Sequence, residues 1–563
     1  MPDINQARLR HAAYFASLLS EADDQFQEGG GAAAAALNRL EMEWSNILKG
    51  QDWAAGQTEV DEKAACLCSD YAMKGAHLTD IRLGAKQRIL WIEAGLAAAR
   101  RLNDRFAESK HLSNLGLTFE DLGEIHRALE CQQQSLIIDR EISDLYGEEQ
   151  TLGNLGSAYQ ALDKYQEAIE SYEQQIQIAN KIGDRRGEAN ALMDMGIAYH
   201  SQRNMQRAIE LLERALSIFR QTGDRHGEGK AMGNLGNVYA DLGDSRRAIE
   251  YYLEDLKIAR EMGDRRGEGQ ALGCLGTAYS DLGDHARAAE SYESWLSIAR
   301  DTGDRRSECH ALGNIGTAYA DMGDAHRAID FQEKALSLAR DIGDRGSVAD
   351  ALTNLGVAYS YLNSPQRSME CYGEAIEIYD QLGKASSAAG VMANLGLLFY
   401  MYGQSEQAMK IYEKALPISE ETGDIRNQAN LHMNMGIIHH DLGSFDQSIQ
   451  AHHKALKIFR EISDTYNEGK ALCNLANNYL KLGDLDMAAA HYDQAIDLAR
   501  QTGDKRGEAD ALFNRAVLLS KRGESAGAIA CGESALKIYE KMEDRNTTLI
   551  SARLNEWRKQ ITE

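Results

Sequence analysis

Three short strings in this chain carry the letters of catalytic motifs, and none has the setting its chemistry requires. Gly523-Glu-Ser525-Ala-Gly527 matches a hydrolase nucleophile elbow, but such a serine works only on a strand-to-helix turn. Asp301-Thr302-Gly303 has the form of an aspartic-protease triplet. The same register elsewhere reads Gln221-Thr-Gly, Asp341-Ile-Gly and Gln501-Thr-Gly, so the position does not demand a carboxylate. The glycines of Gly227-Glu-Gly229 and Gly267-Glu-Gly269 lack the strand that a dinucleotide site needs. No Gly-x-x-x-x-Gly-Lys-Ser/Thr phosphate loop occurs. The chain is therefore expected to be non-enzymatic and to carry no cofactor.

Metal chemistry has two candidate footholds. Cys66-x-Cys68 is the one close pair among eight cysteines, and it has no second pair or flanking histidine to complete a zinc site. The unpaired spacing reads as free thiols of a reducing compartment. Histidine concentrates at His432, His439, His440, His452 and His453, where His439 and His452 replace aromatic residues of the other copies. These are either buried neutral imidazoles or a metal site or pH-sensitive joint. With no evident carboxylate or thiolate partner, no metal is expected.

The polar residue that recurs is asparagine, whose amide both donates and accepts. Asn114, Asn154, Asn234, Asn314, Asn354, Asn394, Asn434, Asn474 and Asn514 share one register, with Asp194 and Cys274 completing it. The ladder follows from a sequence that restarts every 40 residues without insertion or deletion. Eleven units begin at 111, 151 and so on to 511, as in Thr151-Leu-Gly-Asn-Leu-Gly-Ser-Ala-Tyr159 and Ala311-Leu-Gly-Asn-Ile-Gly-Thr-Ala-Tyr319. A fixed period without strand-like alternation is the mark of an all-α solenoid whose units bury their apolar faces against neighbours. In the unit at Ala231, one helical stripe runs to Leu242 and a second carries Ala248, Ile249, Tyr252, Leu256 and Ala259. Gly243-Asp244 and Gly263-Asp264 supply the stop-and-cap chemistry between them. Pro365 suits a first helical position; Pro417 falls inside a helix and should bend it.

Leu235-Gly236-x-x-Tyr239 followed by Ala248-x-x-x-Tyr252 resembles the tetratricopeptide signature, a helix-turn-helix unit usually about 34 residues long. The longer unit, with a Gly-Asp-Arg-Arg-Gly-Glu connector (Gly183 to Glu188, Gly263 to Glu268) expected to extend the second helix, resembles the repeats of Pins and LGN-type polarity adaptors and, more distantly, of kinesin light chains. The resemblance covers residues 71 to 550. It implies a right-handed superhelix with a concave groove lined by first helices, in which the asparagine grips a ligand's backbone. The alternative is that each asparagine ties its helix to the preceding repeat.

The ends differ from the repeats. Residues 1–70 are helical but aperiodic, broken at Gly29-Gly30-Gly31, and are expected to form a cap or joint; 71–110 read as a worn first repeat and 111–550 as eleven repeats. Residues 551–563 are expected to end a capping helix, with Leu549, Ile550, Leu554 and Trp557 on its apolar face. Arg10-His11-Ala-Ala-Tyr14-Phe15 and Leu40-Glu41-Met-Glu43-Trp44 resemble the helical lead-in to the repeat sensor of bacterial STAND-type signalling NTPases.

With 61 basic against 86 acidic residues the net charge is −25, which repels phosphate backbones and anionic membranes, although acidic helix faces also serve solubility alone. No apolar run spans a bilayer and no signal peptide opens the chain, so a cytoplasmic protein is expected. Asp241, Asp281, Asp321 and Asp441 should make the groove rim acidic, and Val357, Tyr361, Leu397, Met401 and Ile437 should turn it apolar. The expected function is a scaffold that holds an extended peptide or partner helix with basic and hydrophobic parts. The alternative function is a sensor subunit of a STAND-like signalling or defence NTPase. No nucleic acid or membrane partner is expected, and self-association is left open.

Overall fold

The computed structural model describes residues 4–28, 30–542, 544 and 546–562, and among these it contains helices and no strand. Two units divide the chain, the first ending at Asp284 and the second beginning at His285. The first unit opens with α1 (Ile4–Glu28), α2 (Gly30–Gln57), α3 (Glu62–Lys74), α4 (Ala76–Arg82) and α5 (Ala85–Leu102). It continues as regular hairpins: α6 (Arg105–Asp121), α7 (Ile125–Ile142), α8 (Leu145–Gln160), α9 (Tyr165–Ile182), α10 (Arg185–Ser201), α11 (Met205–Thr222), α12 (Arg225–Asp241), α13 (Ser245–Met262) and α14 (Arg265–Asp281). The second unit holds α15 (His285–Thr302), α16 (Arg305–Asp321), α17 (Ala325–Ile342), α18 (Arg345–Tyr361), α19 (Pro365–Gln381), α20 (Ala385–Met401), α21 (Ser405–Glu421), α22 (Ile425–Asp441), α23 (Phe445–Glu461), α24 (Thr465–Leu482), α25 (Leu485–Thr502), α26 (Lys505–Lys521), α27 (Ser525–Lys541) and α28 (Asn546–Thr562).

Glycine and aspartate set these boundaries. Gly263 takes φ +69° and closes α13, its N–H reaching the carbonyls of Ala259 and Arg260, a left-handed turn that glycine adopts without strain. Asp264 then accepts the N–H of Gly267 and opens α14, a cap worth about 1 kcal/mol. The Gly-Asp-Arg-Arg-Gly-Glu connector therefore does not extend the second helix of a hairpin. Its aspartate starts the first helix of the next, because a carboxylate that caps free N–H groups can only stand at a helix beginning. Glu228, buried at the start of α12, is clipped to Arg220 at 2.9 Å and to Arg225. Glu268 is held likewise by Arg260 at 2.8 Å and Arg265 at 2.7 Å, which locks each connector. Pro365 is the first residue of α19, and Pro417 lies within α21.

Inside each hairpin, a glycine of the first helix makes a notch for a side chain of the second. Tyr252 fills the notch of Gly236, Tyr372 that of Gly356, and Tyr412 that of Gly396, each against the space a methyl group would take. Gln332 serves Gly316 and Leu212 serves Gly196. Around these knobs, Ala231, Leu235, Ala248 and Leu256 are buried, each leucine contributing about 1.5–3 kcal/mol by leaving water. In α27 the knob position is Gly532. Leu554 and Trp557 of α28 come within 2.8 and 3.1 Å of where its Cβ would stand, seating α28 as a lid. Ile550, Leu554 and Trp557 are buried as expected of that lid, whereas Leu549 is 57% exposed, because it lies about 100° round the helix from the centre of the buried face.

At the other end, α3 crosses the expected boundary at residue 70 and packs on α5 as the first helix of a worn hairpin, interrupted at Gly75. Its Tyr71 donates to the Ala12 carbonyl at 2.8 Å, and Trp91 of α5 stacks on Trp44 of α2. The cap and the worn first hairpin thus share one core.

Candidate functional site: the asparagine-lined grooves

In the second unit, the first helices α20, α22, α24 and α26 line a cavity of about 960 Å³. Eight asparagines face it: Asn394, Asn427, Asn430, Asn434, Asn467, Asn474, Asn477 and Asn514. Several are already engaged. Asn427 donates to Ser419 Oγ at 2.8 Å, Asn467 to Asp464 at 2.9 Å, and Asn477 accepts from the Tyr492 hydroxyl at 2.5 Å. Asn474 reaches Met433 Sδ, on the preceding first helix, at 3.4 Å. Asn394, Asn430 and Asn514 make no side-chain hydrogen bond with another described residue and turn their amides to the open groove. Apolar wall is supplied by Ala393, Leu397, Met433 and Ile437. Of the charged lining groups, Lys470 lies 4.1 Å over the Tyr466 ring, Arg506 pairs with Asp544 at 3.3 Å, and Asp510 accepts from Tyr539. Burial, with Asp510 and Asp504 nearby, pushes the Cys473 thiol up to about 12, which disfavours the thiolate form.

A smaller cavity of about 290 Å³ in the same unit includes Asn314 and Asn354 with His310 and Asp350. In the first unit, Asn234 lines a cavity of about 450 Å³ between α12, α13 and α14, and Asn114 one of about 320 Å³ with Asp121 and Leu117. Asn154 lines none of these. It donates instead to Ser113 Oγ of the preceding first helix at 3.2 Å, the packing role.

The remaining expected residues are more dispersed. Asp241 is committed to His200 at 3.0 Å and Arg203 at 3.2 Å, Asp321 sits 3.6 Å from His285, and Asp441 accepts from Tyr400. Asp281 is exposed at the end of α14. These carboxylates stand outside those cavities, and of the four Asp241 is the one paired with a described arginine, Arg203. Tyr361 and Met401 are each 63% exposed, also outside the cavities; Leu397 is inside.

A set of residues that the sequence reading passed over lies one helical turn before the ladder. Lys230, Gln270, His310, Asp350, Gly390, Asn430, Lys470 and Asp510 all line cavities. The signal was available: this register changes chemistry from unit to unit while four residues on the asparagine recurs in nine of the eleven units, Asp194 and Cys274 excepted. A recurring amide beside a variable side chain is what backbone holding with side-chain selection requires.

The histidines are separated in role. His452, 1% exposed, fills the notch of Gly436, while His439 is only half-buried rather than in the core. Several of its register mates, among them Tyr199, Tyr319 and Tyr479, are likewise half-buried. Burial, then His440 and His453, holds the His452 imidazole down to about 4. Among the described residues no three His, Cys, Asp or Glu side chains are arranged to hold a metal ion. No described helix is long and apolar enough to cross a membrane. The Gly523–Gly527 string occupies a helix-helix turn, with Gly523 at φ +81° and Ser525 opening α27.

No curated protein matches the chain. Among the solved structures similar to parts of it are the following three. BtubC (BKLC) from P. vanneervenii is 21% identical, with 39% of this chain and 92% of that one covered and a TM-score of 0.35. The apo form of RapI is 16% identical over 49% and 99%, with a TM-score of 0.43. The apo form of the quorum sensor NprR from B. thuringiensis is 15% identical over 67% and 99%, with a TM-score of 0.45. The tetratricopeptide repeat model matches residues 147–221, 187–261, 227–301, 307–381, 427–501 and 468–541, more than half of the chain. With its paired helices and Gly-Tyr notches, the chain is a member of the tetratricopeptide repeat family.

Proposed function

We propose that this chain is a non-catalytic scaffold whose first-helix grooves hold an extended peptide or a partner's helix. Membership in the repeat family supports protein interaction as its general role. The observation that carries the finer reading is the cavity of about 960 Å³, where Asn394, Asn430 and Asn514 present unspent amides beside Leu397 and Ile437. An amide that both donates and accepts can take the place of a strand partner for a peptide backbone. Apolar wall between the amides then seats a hydrophobic anchor, and the variable register before the ladder selects among side chains.

A displayed random-peptide library selected on the whole protein tests this. Peptides so obtained should lose about tenfold or more in affinity to Asn394→Ala, Asn514→Ala protein, because a buried ligand group deprived of its partner costs about 1–3 kcal/mol. Thermal stability should hold. Peptides that bind the double variant as tightly as the native protein would refute the groove reading.

A further inference from the structure

The cavity between α12, α13 and α14 departs from the other grooves in its floor. At the register of Asp255, the next hairpin carries Trp295 and the later ones Ala335, Ala375, Ala415, Ala455, Ala495 and Ala535. Here a carboxylate enters the groove, and two glycines make room for it. A Cβ at Gly229 or Gly233 would stand 3.0 Å from its oxygens. Asp255 makes no hydrogen bond or ion pair with another described residue, although it is half-buried and lines the cavity. Burial, with Asp264 adding to it, pushes its carboxyl up to about 7, the behaviour of an acid without a counter-charge.

A second substitution works in the same direction. Elsewhere an arginine near the start of a first helix pairs with the capping aspartate of the next first helix: Arg186 with Asp224 at 2.7 Å, Arg426 with Asp464 at 3.0 Å, Arg506 with Asp544 at 3.3 Å. At this place stands His226, and Asp264 forms no ion pair with a described residue while both line the cavity. Lys230 is the one lysine or arginine in the lining, and the carboxylate it acts on is Asp194, on α10. Thus a cavity of about 450 Å³ holds two carboxylates: Asp255, at a register where most other hairpins have alanine, and Asp264, opposite a histidine where other hairpins place an arginine.

We propose that this cavity is a subsite for one cationic side chain, the guanidinium or ammonium of an arginine or lysine on a bound protein segment, held between Asp255 and Asp264. The planar, multiply donating guanidinium suits two carboxylates facing one space. Asn234 and Asn237 line the same cavity, so the segment's polar backbone has a place beside the charge. This subsite stands independently of whether the asparagines of the second unit grip a peptide, since a short probe reads it alone.

The probes are acetyl-Gly-Arg-Gly-amide, its lysine counterpart, and the citrulline analogue, which keeps the arginine's shape without its charge. Titration calorimetry on the full chain should show millimolar or tighter binding of the arginine peptide and about tenfold weaker binding of the citrulline one, the size expected for a charge-assisted hydrogen bond. Asp255→Asn should cost about tenfold as well, and His226→Arg, which restores the arginine opposite Asp264, should weaken the peptide in the same direction. Asp255→Ala provides the folding check, since alanine is the ordinary residue at this register. No binding of either cationic peptide at millimolar concentration, equal binding of the citrulline analogue, or affinity unchanged by Asp255→Asn in folded protein would overturn the proposal.

Discussion

Replacing His452 by tyrosine should remove much of the acid sensitivity of the hairpin formed by α22 and α23. His452 is 1% exposed in the notch of Gly436, and its Nδ1 has no hydrogen-bond partner. Burial first, then the neighbouring His440 and His453, lowers its pKa from 6.5 to about 4. A histidine that is depressed in the folded state contributes stability that is fully present above its unfolded value. That stability is lost as pH falls from 6.5 towards 4, because the unfolded chain takes up the proton first. At about 1.4 kcal/mol per pH unit the loss amounts to about 3 kcal/mol. Tyrosine does not ionise in acid, and Tyr372, Tyr412 and Tyr492 fill the same register in other hairpins, so His452→Tyr should fold. His432, His439 and His453 are also held low, burial being the largest cause in each, which leaves a residual slope. Stability in a repeat array is local, so the measurement is hydrogen exchange with mass spectrometry on peptides from α22 and α23 between pH 7 and 4, corrected for intrinsic rates. Protection that falls with pH equally in both proteins would refute this account of His452.

Other expectations separate packing from binding. Asn154→Ala should lower stability by about 0.5–1.5 kcal/mol by removing its bond to Ser113, whereas Asn514→Ala should leave the melting profile unchanged; the reverse ranking would place the binding role on the wrong residue. Glu228→Gln should cost about 1 kcal/mol at neutral pH, discounted for the exposed arginines, in denaturant unfolding. Burial opposes ionisation of Glu228, but hydrogen bonds from Arg220 and Arg225 outweigh it and lower its pKa, so the difference should vanish as pH falls below the ordinary carboxylate range. Gly532→Tyr should drive Leu554 and Trp557 out of their seat, seen as a red shift of tryptophan emission and faster proteolysis of α28; a lid that stays buried would contradict the notch assignment.

The helix boundaries were legible because they rest on local chemistry: Gly263 and Asp264 act within a few residues of themselves. The connector was misread for the same reason that it was found. Its glycine announces an ending, and only the aspartate's side-chain acceptance from Gly267 shows which helix the following residues join. Asn394 and Asn154 look alike in the repeat, yet one opens to a groove and the other bonds to Ser113. That difference depends on what the neighbouring hairpin offers, which periodicity averages away. Asp255 escaped notice because a single aspartate in a charged sequence carries no signal until the glycines opposite it are seen in contact.

The position of the notch glycine also determines which parts of this chain are interchangeable. A hairpin such as α12 and α13 carries both socket and knob, Gly236 and Tyr252, so it could be copied or exchanged with a neighbour as a finished piece. The hairpin of α26 and α27 is different in kind: with Gly532 at the knob position and Leu554 and Trp557 supplied from α28, it is complete only together with the helix that follows. Transplanted inward without α28, it would carry a hole the size of an aromatic ring, costing several kcal/mol by the usual penalty for buried voids, on the order of 3–5 for a lost large side chain. Recombination among these repeats is thereby confined to the hairpins before it, where a shuffled groove register can change what is bound without disturbing how the piece holds itself together.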